Sequence, residues 1–159
     1  MNRFIDALAL RLEKLLGLAL IAAVAVNFVN VVGRYILGRT FIAADELQIY
    51  IMVYIAFLGA AVATWRRMHL RMDVLVHRLP RGIQAALAAT ELALVLVLAA
   101  LVLYVSSSYV ARMAGLDARS QNAGIPMWIP HGAVVLGFGL IAALAVLQIV
   151  QLFRKGDGP

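Results

Sequence analysis

The chain has 159 residues, of which 64% are hydrophobic and 14% charged, with a formal charge of +6 and no cysteine. That balance belongs to a membrane protein of one domain, and the missing thiols exclude disulfides, cysteine nucleophiles and cysteine-held zinc or iron–sulfur sites within the chain. The basic charge does not point to nucleic acid, because the arginines flank apolar runs and build no continuous basic face with interleaved aromatics.

Residues 1–14 place Phe4, Ile5, Leu8 and Leu12 at helical spacing, with Asn2, Arg3, Asp6, Arg11, Glu13 and Lys14 largely opposite. The pattern predicts an amphipathic helix feeding into a membrane span, either a plain overhang of that span or an element for the membrane surface or a partner. The apolar run from Leu15 to Val32 predicts a first transmembrane helix over 15–36. Basic residues ahead of Ala23-Val24-Ala25 raise a signal peptide, but the hydrophobicity continues past that triplet and cleavage is not expected. Asn27, Asn30 and Arg34 share one face of the outer half of this helix. They read as asparagine packing contacts beside an interfacial arginine, with a substrate or ion role as the sharper alternative.

Only about ten residues, Tyr35 to Ala44, lead to the next helix, so the two helices must be antiparallel neighbours. That brings Arg34 near Asp45 and Glu46, which also suit the positive end of a helix dipole. Leu47 to Trp65 carries no charge and covers roughly 28 Å as a helix, which predicts a second span over 45–65. Glu46, Tyr50, Tyr54 and Phe57 follow one another at helical spacing, while Ala56, Gly59, Ala60 and Ala63 offer a small-residue surface for another helix.

Residues 66–80 read RRMHLRMDVLVHRLP. A strand period fits part of this stretch, but an unpaired strand beside a membrane leaves backbone groups unsatisfied, so an amphipathic segment at the inner interface is expected. The third span is expected over 83–109 and holds Glu91 roughly two turns inside its inner end. An ionisable group at that depth either pairs with an arginine of the preceding loop or a partner, or serves transport. Residues 110–126 form the longest outer loop, with Arg112, Asp117 and Arg119 ahead of SQNAGIP. The last span is expected over 127–153, with Trp128 as interface anchor and Gly132, Gly137 and Gly139 permitting close packing, before a tail over 154–159.

Ten basic residues fall in the N-terminal segment, the 66–81 connection and the C-terminus, against Arg34, Arg39, Arg112 and Arg119 on the other side. The bias predicts an all-α integral membrane protein of four transmembrane helices with both termini cytoplasmic. His69 and His77 lie in the inner loop and His131 at the outer start of the last span, so no bis-histidine heme, metal cluster or hydrolytic triad is expected, and no cofactor or enzymatic role. An independent four-helix proton-coupled transporter using Glu91 is the alternative, though broken helices and inverted repeats are not visible.

In order along the chain stand Arg34-Tyr35, Asp45-Glu46-Leu47, Phe57-Leu58-Gly59-Ala60-Ala61, Arg66-Arg67-Met68-His69, Asp73, Leu79-Pro80 and Gly124-Ile125-Pro126-Met127-Trp128. The ordered set resembles the small membrane subunit of tripartite ATP-independent periplasmic (TRAP) transporters, the DctQ-type family. One departure is Phe41-Ile42-Ala43-Ala44, where that family often has a tryptophan before its acidic pair. The resemblance implies a bacterial inner-membrane complex importing an organic acid on a sodium gradient. It further implies a large multi-span permease subunit holding the substrate site, a periplasmic substrate-binding protein that delivers substrate, and a bracing role for the small chain among membrane lipids. Arg34, Tyr35, Glu46, Gly59, His69 and Asp73 are then expected in helix pairing and subunit docking. Asn27, Asn30, Asp45, Arg66, Arg67 and Glu91 are expected at the same interfaces, and Arg112, Asp117 and Arg119 as possible contacts of the binding protein.

Overall fold

Four helices carry almost all of the computed structural model, which describes residues 3–38, 42–66 and 80–156. They are α1 (Arg3–Ile36), α2 (Ile42–Trp65), α3 (Arg81–Gly115) and α4 (Trp128–Gly156). Each is long and apolar enough to cross a membrane. Arg67, His69, Asp73 and the rest of the expected amphipathic loop over 67–79 lie outside the described residues, as do residues 157–159 of the tail.

Local chemistry sets where the helices begin and end. No proline interrupts α1, so the charged N-terminal segment runs into the apolar one as a single helix. Leu37 N–H bonds Gly33 O at 3.1 Å, and Gly38, at φ 63°, takes the left-handed turn that releases the chain. Pro80 opens α3, and its carbonyl accepts from the N–H groups of Ile83 and Gln84. The expected span 83–109 lies within this longer helix. Ser107 and Ser108 return their hydroxyls to Tyr104 O, and helix-forming alanines and Met113 carry the helix on to Gly115. There Asp117 N–H bonds Ala114 O and Ala118 N–H bonds Met113 O, with Asp117 at φ 44°. That is a Schellman ending in which aspartate stands where glycine is usual.

The helices form one layer. The order across it is α1, α2, α4, α3, with α1 and α3 at the two edges. α1 and α2 are antiparallel, whereas α2 and α4 run the same way, since Tyr50 and Tyr54 meet the start of α4 and Thr64 meets Gln148 near its end. One end of the layer therefore holds the start of α1 and the end of α4, and the far end holds residues 37–38 and the connection 116–127. Between α2 and α4 the Phe57 and Phe138 rings stand 5.9 Å apart. Beside them Ala61, Ala99 and Ile141 make a small core shared by α2, α3 and α4.

Among the described residues, nothing covers the broad faces. Ile21, Phe28 and Val29 on α1 are each about two-thirds exposed, as is Val97 on α3. In water such faces are unsustainable, whereas lipid or the helices of another subunit can cover them. At 1.5 Å per residue α1 and α3 reach about 50 Å, longer than the roughly 30 Å hydrocarbon layer, so they must tilt or project from it.

Candidate functional site

Polar side chains gather at the two ends of the layer and leave its middle apolar. At the far end Asp45 accepts two donors from α1, Asn30 Nδ2 at 2.7 Å on Oδ1 and Arg34 Nη2 at 3.2 Å on Oδ2. One turn back along α1 and one turn forward along α2, Asn27 Nδ2 donates to Gln48 Oε1 at 2.7 Å. The three α1 residues that share a face therefore all point at α2. Asn30 is buried, so its bond to a carboxylate matters most, whereas Arg34 and Asp45 are about half exposed and their ion pair contributes little.

Glu46 turns away from α1. Its Oε1 accepts from the Tyr50 hydroxyl, and its Oε2 accepts from Ala123 N–H at 2.9 Å, in the connection before α4. The Tyr50 hydroxyl also lies 3.6 Å from Met127 Sδ, and Tyr54 donates to Ile129 O at 2.8 Å. On the other side of α4 the His131 ring stands 4.8 Å from that of Tyr109, with Nδ1 positioned 2.6 Å from Met127 O. The stripe Glu46, Tyr50, Tyr54 and Phe57 is thus the face of α2 that meets α4 and its approach.

At the opposite end, Trp65 Nε1 donates to Asp6 Oδ1 at 2.9 Å and Arg66 pairs with Glu13. These contacts clamp the start of α1 to the end of α2. Gln148, buried on α4, donates to Thr64 O at 3.0 Å, tying α4 to the last turn of α2. Asp6, Glu13, Gln48, Thr64 and Gln148 carry these bonds without having been singled out from sequence. Only Gln48 had a readable signal, since it follows Asp45 by about one turn, as Asn27 precedes Asn30.

Other expected positions are dispersed. Tyr35 is 80% exposed, and Arg66 and Arg112 are exposed. Glu91 is half-buried on α3, and Arg119 pairs with Asp117 at 3.2 Å on the surface. Gly59 borders an open groove of about 300 Å³ between α1 and α2, with Leu16, Gly17, Leu20, Ile55 and Ala63. A Cβ added at Gly17 or Gly59 would meet nothing within 4 Å, so this small-residue surface is not used to pack the chain's own helices.

A single layer of apolar helices, clamped by polar bonds at both ends and open on both broad faces, defines an integral membrane subunit. Residues 7–155 match the family described as tripartite ATP-independent periplasmic transporters, DctQ component. The chain belongs to that family, as a small permease subunit of a TRAP transporter. It is 27% identical over 124 residues to a Haemophilus influenzae chain bearing the name TRAP transporter small permease protein, covering 78% of this chain and 76% of that one. It is 28% identical over 135 residues to the ectoine TRAP transporter small permease protein TeaB of Halomonas elongata, covering 84% and 70%. It is 26% identical over 123 residues to the C4-dicarboxylate TRAP transporter small permease protein DctQ of Rhodobacter capsulatus, covering 77% of this chain and 54% of that one.

Proposed function

We propose that this subunit braces the fixed part of a large multi-span permease subunit while that partner carries an organic acid across the bacterial inner membrane on an ion gradient. The observation that supports this most is the one-layer arrangement. A layer clamped along both ends is stiff, and its open apolar faces give a second protein a broad surface without competing for the chain's own packing.

Orientation follows from charge. By the arginine and lysine bias along the sequence, the end holding the start of α1 and the end of α4 faces the cytoplasm, and the far end faces the periplasm. Asn27, Asn30, Arg34 and Asp45 pair α1 with α2. Gly59 and Tyr35, together with Arg66, Arg67, His69, Asp73 and Glu91, belong to surfaces that meet the large subunit or lipid head groups. Arg112, Asp117 and Arg119 lie where a periplasmic binding protein docks. Relatives named for ectoine and for C4-dicarboxylates are similar to this chain to nearly the same degree, which supports placing substrate selection in the other subunits.

The test is purification of the tagged chain from native membranes in mild detergent, with mass spectrometry of what remains bound. A large multi-span membrane protein in a stable complex is the expected result. Recovery of this chain alone, with ion-driven transport by the purified chain in vesicles, overturns the bracing role and makes Glu91 the first transport candidate.

A further inference from the structure

A polar loop at the end of a membrane layer keeps one shape only if something in the layer holds it. Residues 118–127 already form a small hairpin. Ser120 N–H bonds Ile125 O at 2.9 Å, Met127 N–H bonds Ala118 O at 2.8 Å, and Ile125 N–H bonds the Ser120 hydroxyl at 3.0 Å. Arg119 and Pro126 stand opposite one another as a bridge, and Gly124, at φ 65°, makes the reversal possible. These bonds shape the hairpin. Glu46 attaches it to α2, through Ala123 N–H on one carboxylate oxygen and Tyr50 on the other.

We infer that Glu46 is a positioning residue: its carboxylate latches the 118–127 hairpin to α2 and thereby presents Arg119, Gln121 and Asn122 as a preformed docking surface for a soluble, substrate-delivering protein. The inference rests on the reading that the far end is periplasmic. Asp117, Arg119, Gln121 and Asn122 are all exposed, so the surface offers polar groups of both signs, with exposed Leu116 beside them. Such a patch suits a hydrated, transient contact more than a permanent one. Binding to a segment already in shape avoids the cost of ordering it, so a latch inside the membrane helix raises affinity without touching the partner.

Glu46 also sits near the start of α2, where any acid is favoured by the helix dipole. The two roles make opposite demands. A dipole role needs charge and tolerates one methylene less, so aspartate would serve and glutamine would not. A latch needs reach and not charge. In Glu46→Gln the amide oxygen can accept from Ala123 N–H while its NH2 donates to the Tyr50 oxygen, whereas Glu46→Asp falls short of both.

The experiment is hydrogen–deuterium exchange on the assembled complex, together with titration of the purified soluble partner, for Glu46→Ala, Glu46→Asp, Glu46→Gln and Tyr50→Phe. Loss of a bond to a carboxylate should speed exchange of the Ser120, Ala123, Ile125 and Met127 amides about tenfold or more in E46A and E46D, with E46Q within about threefold of wild type. Partner affinity should fall in E46A and E46D and be retained in E46Q, with Y50F between. The inference is overturned if E46D matches wild type while E46Q loosens, if E46A leaves the hairpin amides unchanged, or if the hairpin loosens and partner affinity does not change. Should E46A fail to assemble, the contrast between E46D, E46Q and Y50F still decides. A wild-type complex that binds no soluble partner removes the parent reading and the docking role together, whereas equal binding by wild type and E46A removes the present inference alone.

Discussion

Gly137 meets Phe57 with no room between them: a Cβ at position 137 would lie 2.6 Å from Phe57 Cβ and 2.9 Å from the Phe57 carbonyl oxygen. The second of those atoms is backbone and cannot swing aside, so α2 and α4 would have to separate. Gly137→Ala should destabilise the purified chain by about 1–3 kcal/mol, the usual cost of overpacking. Thermal unfolding in detergent measures it. Gly139, where an added Cβ stands at an ordinary 3.9 Å from Leu103, should accept alanine with little change.

Asn30 and Asp45 give a different kind of coupling. Their 2.7 Å bond is part-buried and charge-assisted, whereas Arg34 reaches the same carboxylate from an exposed position. A double-mutant cycle of Asn30→Ala and Asp45→Ala should return a coupling of about 1.5–3 kcal/mol. The corresponding cycle with Arg34→Ala should return less than about 1 kcal/mol and shrink further as salt is raised.

These two pairs mark how far the sequence is legible. Uninterrupted apolar runs such as Leu47 to Trp65 identify the helices, because each is long enough to span and none needs a partner to be recognised. Asn30, Arg34 and Asp45 are legible for a second reason: a short connection forces their helices side by side with their polar residues at the same end. Gln148 and Thr64 lie 84 residues apart, on helices whose adjacency depends on the order α1, α2, α4, α3 across the layer. Hydropathy carries no information about that order. The bond from Ala123 to Glu46 is equally hidden, since it requires the hairpin shape set by Gly124 and the Schellman ending at Asp117.

Gln148 supplies the next test. It is 4% exposed and its amide is the donor to a carbonyl in the last turn of α2. Gln148→Leu keeps most of the volume but removes that donor and with it the bond between α4 and α2. A loss of about 0.5–1.5 kcal/mol in the detergent unfolding measurement is expected. Gln148→Glu should be at least as damaging, because a carboxylate offers the carbonyl only lone pairs unless it is protonated.

Gly59 should behave in the opposite way to Gly137, although both are helix glycines in a membrane layer. Around Gly59 an added Cβ meets nothing within 4 Å, and the groove it borders is open along α1 and α2. A larger side chain there costs the isolated chain little, and alanine in place of glycine within a helix is mildly favourable. If the groove receives a helix of the large subunit, Gly59→Leu fills the space that helix occupies and blocks close approach. The expected result is unchanged thermal unfolding of the isolated chain combined with loss of co-purification and of uptake. Gly137→Ala should show the converse order, with unfolding of the isolated chain affected first. Equal co-purification of G59L and wild type would move the docking surface off this groove, leaving the opposite broad face of the layer to meet the partner.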